Sequence, residues 1–407
     1  MKTKIYLFLL MLINFNSNAQ LSWLQMPDFP GGKRWGVASF SINNKGYMGL
    51  GTDANSVYYS DWYEYDPITN QWTQLANVPA NGTAFSVSFS IGSKGYVIGG
   101  ASNGRYSNAV YEFDPVTKTW TIKTPMPDGG RQNAAGFSLN GLGYVGTGSN
   151  GTSLNDFYAF DPVANTWTPK ASFPGIERNG ASGFTAGDKG YIGMGNNSNA
   201  TFYPNDLYEY DPNQDVWTQK ANFPLSSVNS PTTYSSSKDG YVLCGYFYQY
   251  AGITHNPMNM FYKYAPLTDT WTLLGTFPGL PRGYAGGFTL MNDIYIGTGA
   301  QSNGGNPRFS DFWKLSNGLS LFVKDHDNLL DFDILPNPSS KYIYIGDIKG
   351  KQPKSIRIYD FSGKLIKIQS IKDVKQAIDI STFSSGLYFM ELTTKDGYVL
   401  DCQFMKE

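Results

Sequence analysis

The chain has 407 residues, of which 15% are charged and 16% aromatic, with 45 glycines. Such a composition excludes a helical bundle, which needs abundant Lys, Glu and Ala, and 29 tyrosines exclude a disordered chain; many short strands joined by tight turns remain. A formal net charge of −1 without a basic run argues against nucleic acid and anionic membranes as partners, and the two cysteines, Cys244 and Cys402, make no disulfide framework.

The first residues have the order of a secretory signal. Lys2 and Lys4 precede an apolar run from Ile5 to Ile13, followed by Ser17-Asn18-Ala19-Gln20. The run is too short to stay in a bilayer, so cleavage after Ala19 and no transmembrane segment are expected.

From there one phrase recurs. Trp72, Trp120, Trp167, Trp217 and Trp271 return every 47 to 54 residues, closing DWYEYDPITNQW, AVYEFDPVTKTW, DFYAFDPVANTW, DLYEYDPNQDVW and MFYKYAPLTDTW. Alternating aromatics predict a half-buried strand, and the Pro step with Thr or Asn after it predicts a tight turn. Upstream lie KGYMGLG, KGYVIGG, LGYVGTG, KGYIGMG, DGYVLCG and DIYIGTG, each with a Gly four residues after its Tyr. A further strand precedes each, as in RWGVASFSI, so every unit holds four strands. The strand glycines are expected where inner strands converge on an axis.

Six upstream phrases face five closing Trp strands; the last unit stops at DFWKLSNG. The missing strand is LSWLQMPDFP, with Trp23, at the other end of the chain. The repeat resembles the kelch signature, although the Gly-Gly pair is intact only at Gly99-Gly100. The resemblance implies an all-β, six-bladed kelch-type β-propeller closed by the N-terminal strand, over residues 20–318.

Around Asn317 the style changes, and after a linker (319–334) the text reads LPNPSSKYIYI, SIRIYDFSGKLIKI and IDISTFSSGLYFMELTTKDG. Alternating strands between Asn-Pro, Ser-Gly and Asp-Gly turns predict a small β-sandwich over residues 335–407. Pro336-Asn337-Pro338, the strand from Ile358 to Gly363, Gly386-Leu387-Tyr388-Phe389 and the closing strand with Lys406 resemble the C-terminal sorting domain of type IX secretion in the Bacteroidetes. That resemblance implies the outer-membrane secretion machinery as a partner. It further implies a protein secreted or attached at the outer-membrane surface once the signal peptide is removed.

Candidate site residues lie in two loop sets. Arg34, Arg131, Arg178 and Arg282 stand thirteen residues before their unit's Tyr, where units two and five have Thr83 and Val228. Four such arginines can ring an axial mouth and bind carboxylates, or can brace loops by donating to carbonyls of a neighbouring blade. The fifth-unit loop YFYQYAGITHNPMN offers Tyr246, Phe247, Tyr248, Tyr250 and His255, which suit sugar rings or can pack on one another. A single propeller histidine cannot supply the copper site of galactose oxidase, which shares the repeat, so no cofactor and no metal are expected. Glu177 beside Arg178 in an entry loop is the best-placed lone acid for proton transfer; kelch proteins that interconvert sialic acid anomers use such groups. The reading is a monomeric binding module for a glycan or protein, with a sialic acid (N-acetylneuraminate) mutarotase or epimerase as the alternative.

Overall fold

In the strand Ala38–Ile42, Ala38, Phe40 and Ile42 are buried while Ser39 and Ser41 are half-exposed. This is the period of two that a strand with one core face requires. A computed structural model of the chain describes residues 21–197, 204–225, 228–248, 255–302, 306–316 and 334–407, without 347, 349, 351, 361–364 and 396–398. They fall in two compact units, one ending at residue 321 and one beginning at 322. In the first unit Ala38–Ile42 pairs with Lys45–Gly49, then Trp62–Asp66, then Gln71–Leu75, all antiparallel. The inner strands of the next five sheets are Val87–Ile91, Ala135–Leu139, Ser182–Ala186, Thr232–Ser235 and Gly286–Leu290. Each of these six sheets has four strands, and the sixth takes its outer strand from the N-terminus: Trp23–Met26 pairs with Phe312–Leu315. The segment read as a signal sequence lies outside the described residues.

Two hydrogen-bonded belts run round the inner ends of the blades. In one, the N–H of Gly36 donates to Tyr284, Tyr284 to Ser230, Ser230 to Gly180, Gly180 to Asn133, Asn133 to Phe85 and Phe85 back to Gly36, at 2.9–3.1 Å. In the other, Gly51, Gly100, Gly148, Gly195, Gly245 and Gly299 each donate to the loop leading into the next blade, with Gly299 of the sixth reaching Arg34 of the first at 2.9 Å. Both belts return to their starting blade, so no edge is left open at the axis.

These belts explain the glycine four residues after each Tyr, and not through convergence on the axis. Gly51 has φ +88°, and a Cβ there would come 2.7 Å from the Trp35 carbonyl oxygen of its own leading loop. A left-handed backbone and a close carbonyl, at the mouth end of the strand, select glycine. The glycine before each Tyr answers a different demand. A Cβ on Gly95 would sit 2.1 Å from Phe40 of the preceding blade, and Gly143, Gly190, Gly240 and Gly46 lie likewise under Phe89, Phe137, Phe184 and Phe288. The exception shows the rule: where the sixth blade has Ile294, the preceding blade has Tyr234, whose hydroxyl donates to the Tyr295 carbonyl at 3.0 Å.

The outer tryptophans tie each blade to the one before it. The indole N–H groups of Trp120, Trp167, Trp217 and Trp271 donate to Ala76, Thr124, Ala171 and Ala221 at 2.8–3.2 Å. Trp72 of the first blade reaches Pro27, just after the N-terminal strand, at 3.4 Å. The second unit is a sandwich of a four-stranded and a three-stranded sheet over a core of Ile343, Ile356, Ile358, Ile378, Leu392 and Phe404. Its Pro336-Asn337-Pro338 motif meets the closing strand: Asn337 Oδ1 accepts the N–H of Met405 at 2.8 Å, and Ser339 donates to the Met405 carbonyl. Among the described residues no helix is long and apolar enough to cross a membrane.

Candidate functional site

The six inner strands turn their small and hydroxylated face to the axis and enclose a cavity of about 360 Å³. One end is ringed by Ser41, Ser90, Ser138, Thr185, Ser235 and Thr289. At the other end a mouth of about 140 Å³ is lined by Phe85, Asn133, Ser230 and Tyr284 among others. There the chain turns into the inner strands through Gly36, Phe85, Asn133, Gly180, Ser230 and Tyr284, all left-handed with φ between 50 and 65°. Four of these six are not glycine, and the belt of hydrogen bonds holds them in that sparsely populated conformation.

Three rings meet at this mouth. Trp35, Phe85 and Tyr284 pack edge to face with centroids 5.0–5.2 Å apart, joining the first, second and sixth blades. Burial pushes the Tyr284 hydroxyl above its ordinary range, against hydrogen bonds with Ser230 and Asn229 that favour ionisation.

The four arginines do not open onto the mouth. Arg34, Arg131, Arg178 and Arg282 are 0–1% exposed. Each Nη1 donates to a carbonyl of its own blade, at Leu50, Thr147, Met194 and Thr298, 2.9–3.0 Å away. Each guanidinium also forks onto an aspartate that opens the third strand of the same blade: Asp61, Asp156, Asp206 and Asp311. The two blades with Thr83 and Val228 carry Ala109 and Met260 in place of that aspartate. The pair is present as a pair or absent as a pair, within the blade and not between neighbours. Such buried forks lock the leading loop to the strand behind it.

The fifth-blade loop is a hairpin, with Tyr246–Tyr248 between Val228–Asn229 and His255–Pro257. Tyr246, expected at a ligand, is fully buried, and its hydroxyl donates to the Ala300 and Ser302 carbonyls of the sixth blade at 2.6 and 3.2 Å. Tyr248 and His255 face each other in the ladder through their backbones. Tyr250 lies outside the described residues, as do the side chains of Tyr248 and His255. Glu177 is exposed, and its carbonyl accepts from Asn197 at 2.6 Å.

One residue packed on the Trp35 ring was not singled out in the sequence. Arg308, between the second and third strands of the sixth blade, is 9% exposed, and its Cζ lies 5.3 Å from the ring centroid of Trp35. Its backbone bridges Ala300, which in turn bridges Gly283, so the loop is fixed to the rim. Among the described residues no cluster of His, Cys, Asp or Glu is arranged to hold a metal ion.

Comparison with known proteins agrees with this architecture. The family model of the KLHDC2/KLHL20/DRC7 kelch-repeats domain matches residues 7–186, and that of the secretion system C-terminal sorting domain matches residues 333–403. The chain is 35% identical over 86 residues to the N-acetylneuraminate epimerase of Pasteurella multocida (strain Pm70), covering 20% of this chain and 23% of the relative. It is 32% identical over 84 residues to the N-acetylneuraminate epimerase of Shigella sonnei (strain Ss046), again covering 20% and 23%. The match thus spans only 23% of the length of either relative. The solved structure of YjhT superposes with a TM-score of 0.59 at 19% identity, over 70% of this chain and 96% of that one, which shows a shared fold. The chain is a kelch-repeat β-propeller carrying a C-terminal secretion-system sorting domain, and that domain marks it as a secreted or cell-surface protein.

Proposed function

We propose that the propeller is the ligand-binding part of this protein and takes a glycan at its axial mouth. The observation that carries the reading is the cluster of Trp35, Phe85 and Tyr284 beside a cavity walled by hydroxyls. Sugars present apolar faces that stack on rings and hydroxyls that need hydrogen-bonding partners, so such a mouth suits them. Under this reading Arg34, Arg131, Arg178 and Arg282 are scaffold, and Tyr248, Tyr250 and His255 are proposed as further contacts to the sugar. The signal peptide and the 335–407 domain serve export, the propeller of residues 20–318 being the part that acts outside. Glycan-array binding by the propeller and by Trp35→Ala and Tyr284→Ala variants tests the proposal; binding that both variants retain in full contradicts it.

A second reading, sialic acid mutarotation, is favoured by the resemblance to two N-acetylneuraminate epimerases. Glu177, exposed beside a leading loop, is its proposed proton-transfer group. Anomer exchange of N-acetylneuraminate followed by NMR decides it, and a rate equal to the uncatalysed one removes it.

A further inference from the structure

A guanidinium taken out of water is costly unless it is paired and hydrogen-bonded. Arg34, Arg131, Arg178 and Arg282 meet that condition at Nη1 through their aspartates, although Nε of Arg34 and of Arg131 is buried without a partner. Arg308 does not: its Nε and Nη1 are buried without a hydrogen-bond partner. Asp53, the carboxylate whose charge reaches it, is engaged elsewhere, accepting the N–H groups of Asn55 and Val57 at 2.9 Å and the Tyr59 hydroxyl at 3.0 Å. Two more orphaned polar atoms lie in the same corner. The indole Nε1 of Trp35, under the Arg308 guanidinium, has no acceptor, and neither does Thr52 Oγ1, whose residue bridges Trp35 through the backbone. Unsatisfied buried groups are few in native proteins, and three neighbouring residues bearing them call for a missing partner. The set is rich in donors and carries one positive charge, so its complement is an anion with several acceptor lone pairs.

We propose that Arg308, Trp35 and Thr52 form an anion subsite beside the Phe85 and Tyr284 rings that line the axial mouth, and that it takes the carboxylate of an acidic sugar. The inference rests on the glycan reading and narrows it. Arg308 supplies charge-assisted hydrogen bonds, the Trp35 indole a further donor, and the Thr52 hydroxyl a rotatable one. The neighbouring rings of Phe85 and Tyr284 are left for the body of the sugar.

The test is isothermal titration of the full chain with glucuronate and N-acetylneuraminate, with their methyl esters, and with N-acetylglucosamine. The esters keep the sugar and remove the charge. The acids are expected to bind about 10- to 100-fold more tightly than their esters, the scale of a hydrogen bond to a charged group. Arg308→Gln is expected to equalise acid and ester, and Arg308→Lys to restore part of the difference. Arg308→Gln gives up the Trp35 ring contact and the attraction of Asp53 but also removes a buried charge with two unpaired N–H groups, so it is expected to unfold near the wild-type denaturant midpoint. Should that variant fail to fold, Trp35→Phe keeps a ring, removes one donor, and is expected to lose affinity for the acid but not for the ester. Equal binding of acid and ester by the wild type, or an acid preference that survives Arg308→Gln, overturns the subsite. Binding of the neutral sugar without preference for acids overturns the subsite and leaves the glycan reading standing; no binding of any sugar removes both.

Discussion

Removing Asp156 from the third blade leaves the Arg131 guanidinium, 1% exposed, with the Thr147 carbonyl at 3.0 Å but without its charged partner. Breaking one side of a buried pair costs about 3–5 kcal/mol, because the remaining charge is neither solvated nor neutralised. The second blade has solved the same position without charge, through Thr83 and Ala109. Transplanting that solution as Arg131→Thr with Asp156→Ala removes both charges together, so the double variant is expected to be more stable than Asp156→Ala alone. The coupling energy of the double-mutant cycle is then about 2 kcal/mol or more, favouring the pair. All nine tryptophans lie between Trp23 and Trp313, so tryptophan fluorescence during guanidinium denaturation reports on the propeller alone. If the two single substitutions add, or if Asp156→Ala is neutral, the four arginines are not held by their aspartates and their scaffold role fails.

Gly95→Ala puts a methyl group 2.1 Å from the Phe40 ring of the preceding blade, and is expected to cost about 1–3 kcal/mol, with Phe40→Leu recovering part in the double variant. Burial raises several tyrosines: Tyr65 is pushed up to about 12, and Tyr47, Tyr96 and Tyr191 are raised by burial together with Glu64, Glu112 and Glu209. The unfolded chain ionises these phenols near their ordinary value of 10.0 while the folded chain keeps the protons. Their contribution is therefore complete below that value and is lost as pH rises from it through the folded values. Denaturant midpoints are expected to fall from about pH 9 to about pH 11, with the tyrosinate absorbance of the buried phenols appearing only on unfolding; a flat profile contradicts the assignment. Deleting residues from Leu335 onward is expected to hold the propeller in the periplasm, and continued export would refute a sorting role for that domain.

The four-stranded sheets were legible because the kelch phrase repeats, and the pairing of Trp23–Met26 with Phe312–Leu315 because LSWLQMPDFP is a displaced copy of QWTQLANVPA. The arginine–aspartate pairs were legible too but were read at one end only. Asp61, Asp156, Asp206 and Asp311 precede the aromatic strand in the four units that have the arginine, and in no others. Reading both columns across the repeats pairs each of these arginines with an aspartate of its own blade. Arg308 carried no such signal, since the loop position it occupies holds Tyr58, Tyr106 and Ser153 in the first three blades, and only its burial without a hydrogen-bond partner marks it. Tyr246 misled for a related reason: an aromatic run in a long loop reads as exposed, whereas its ring fills the space beside Gly283, where a Cβ would come 2.3 Å from it.

The mouth at the propeller axis is the proposed binding site. A crystal structure of the propeller with the tightest-binding glycan of an array screen tests it most directly. The predicted result is a sugar ring against Trp35, Phe85 or Tyr284 with hydroxyls reaching the axial cavity. A glycan bound on the outer rim of the blades, with this mouth left empty, contradicts it.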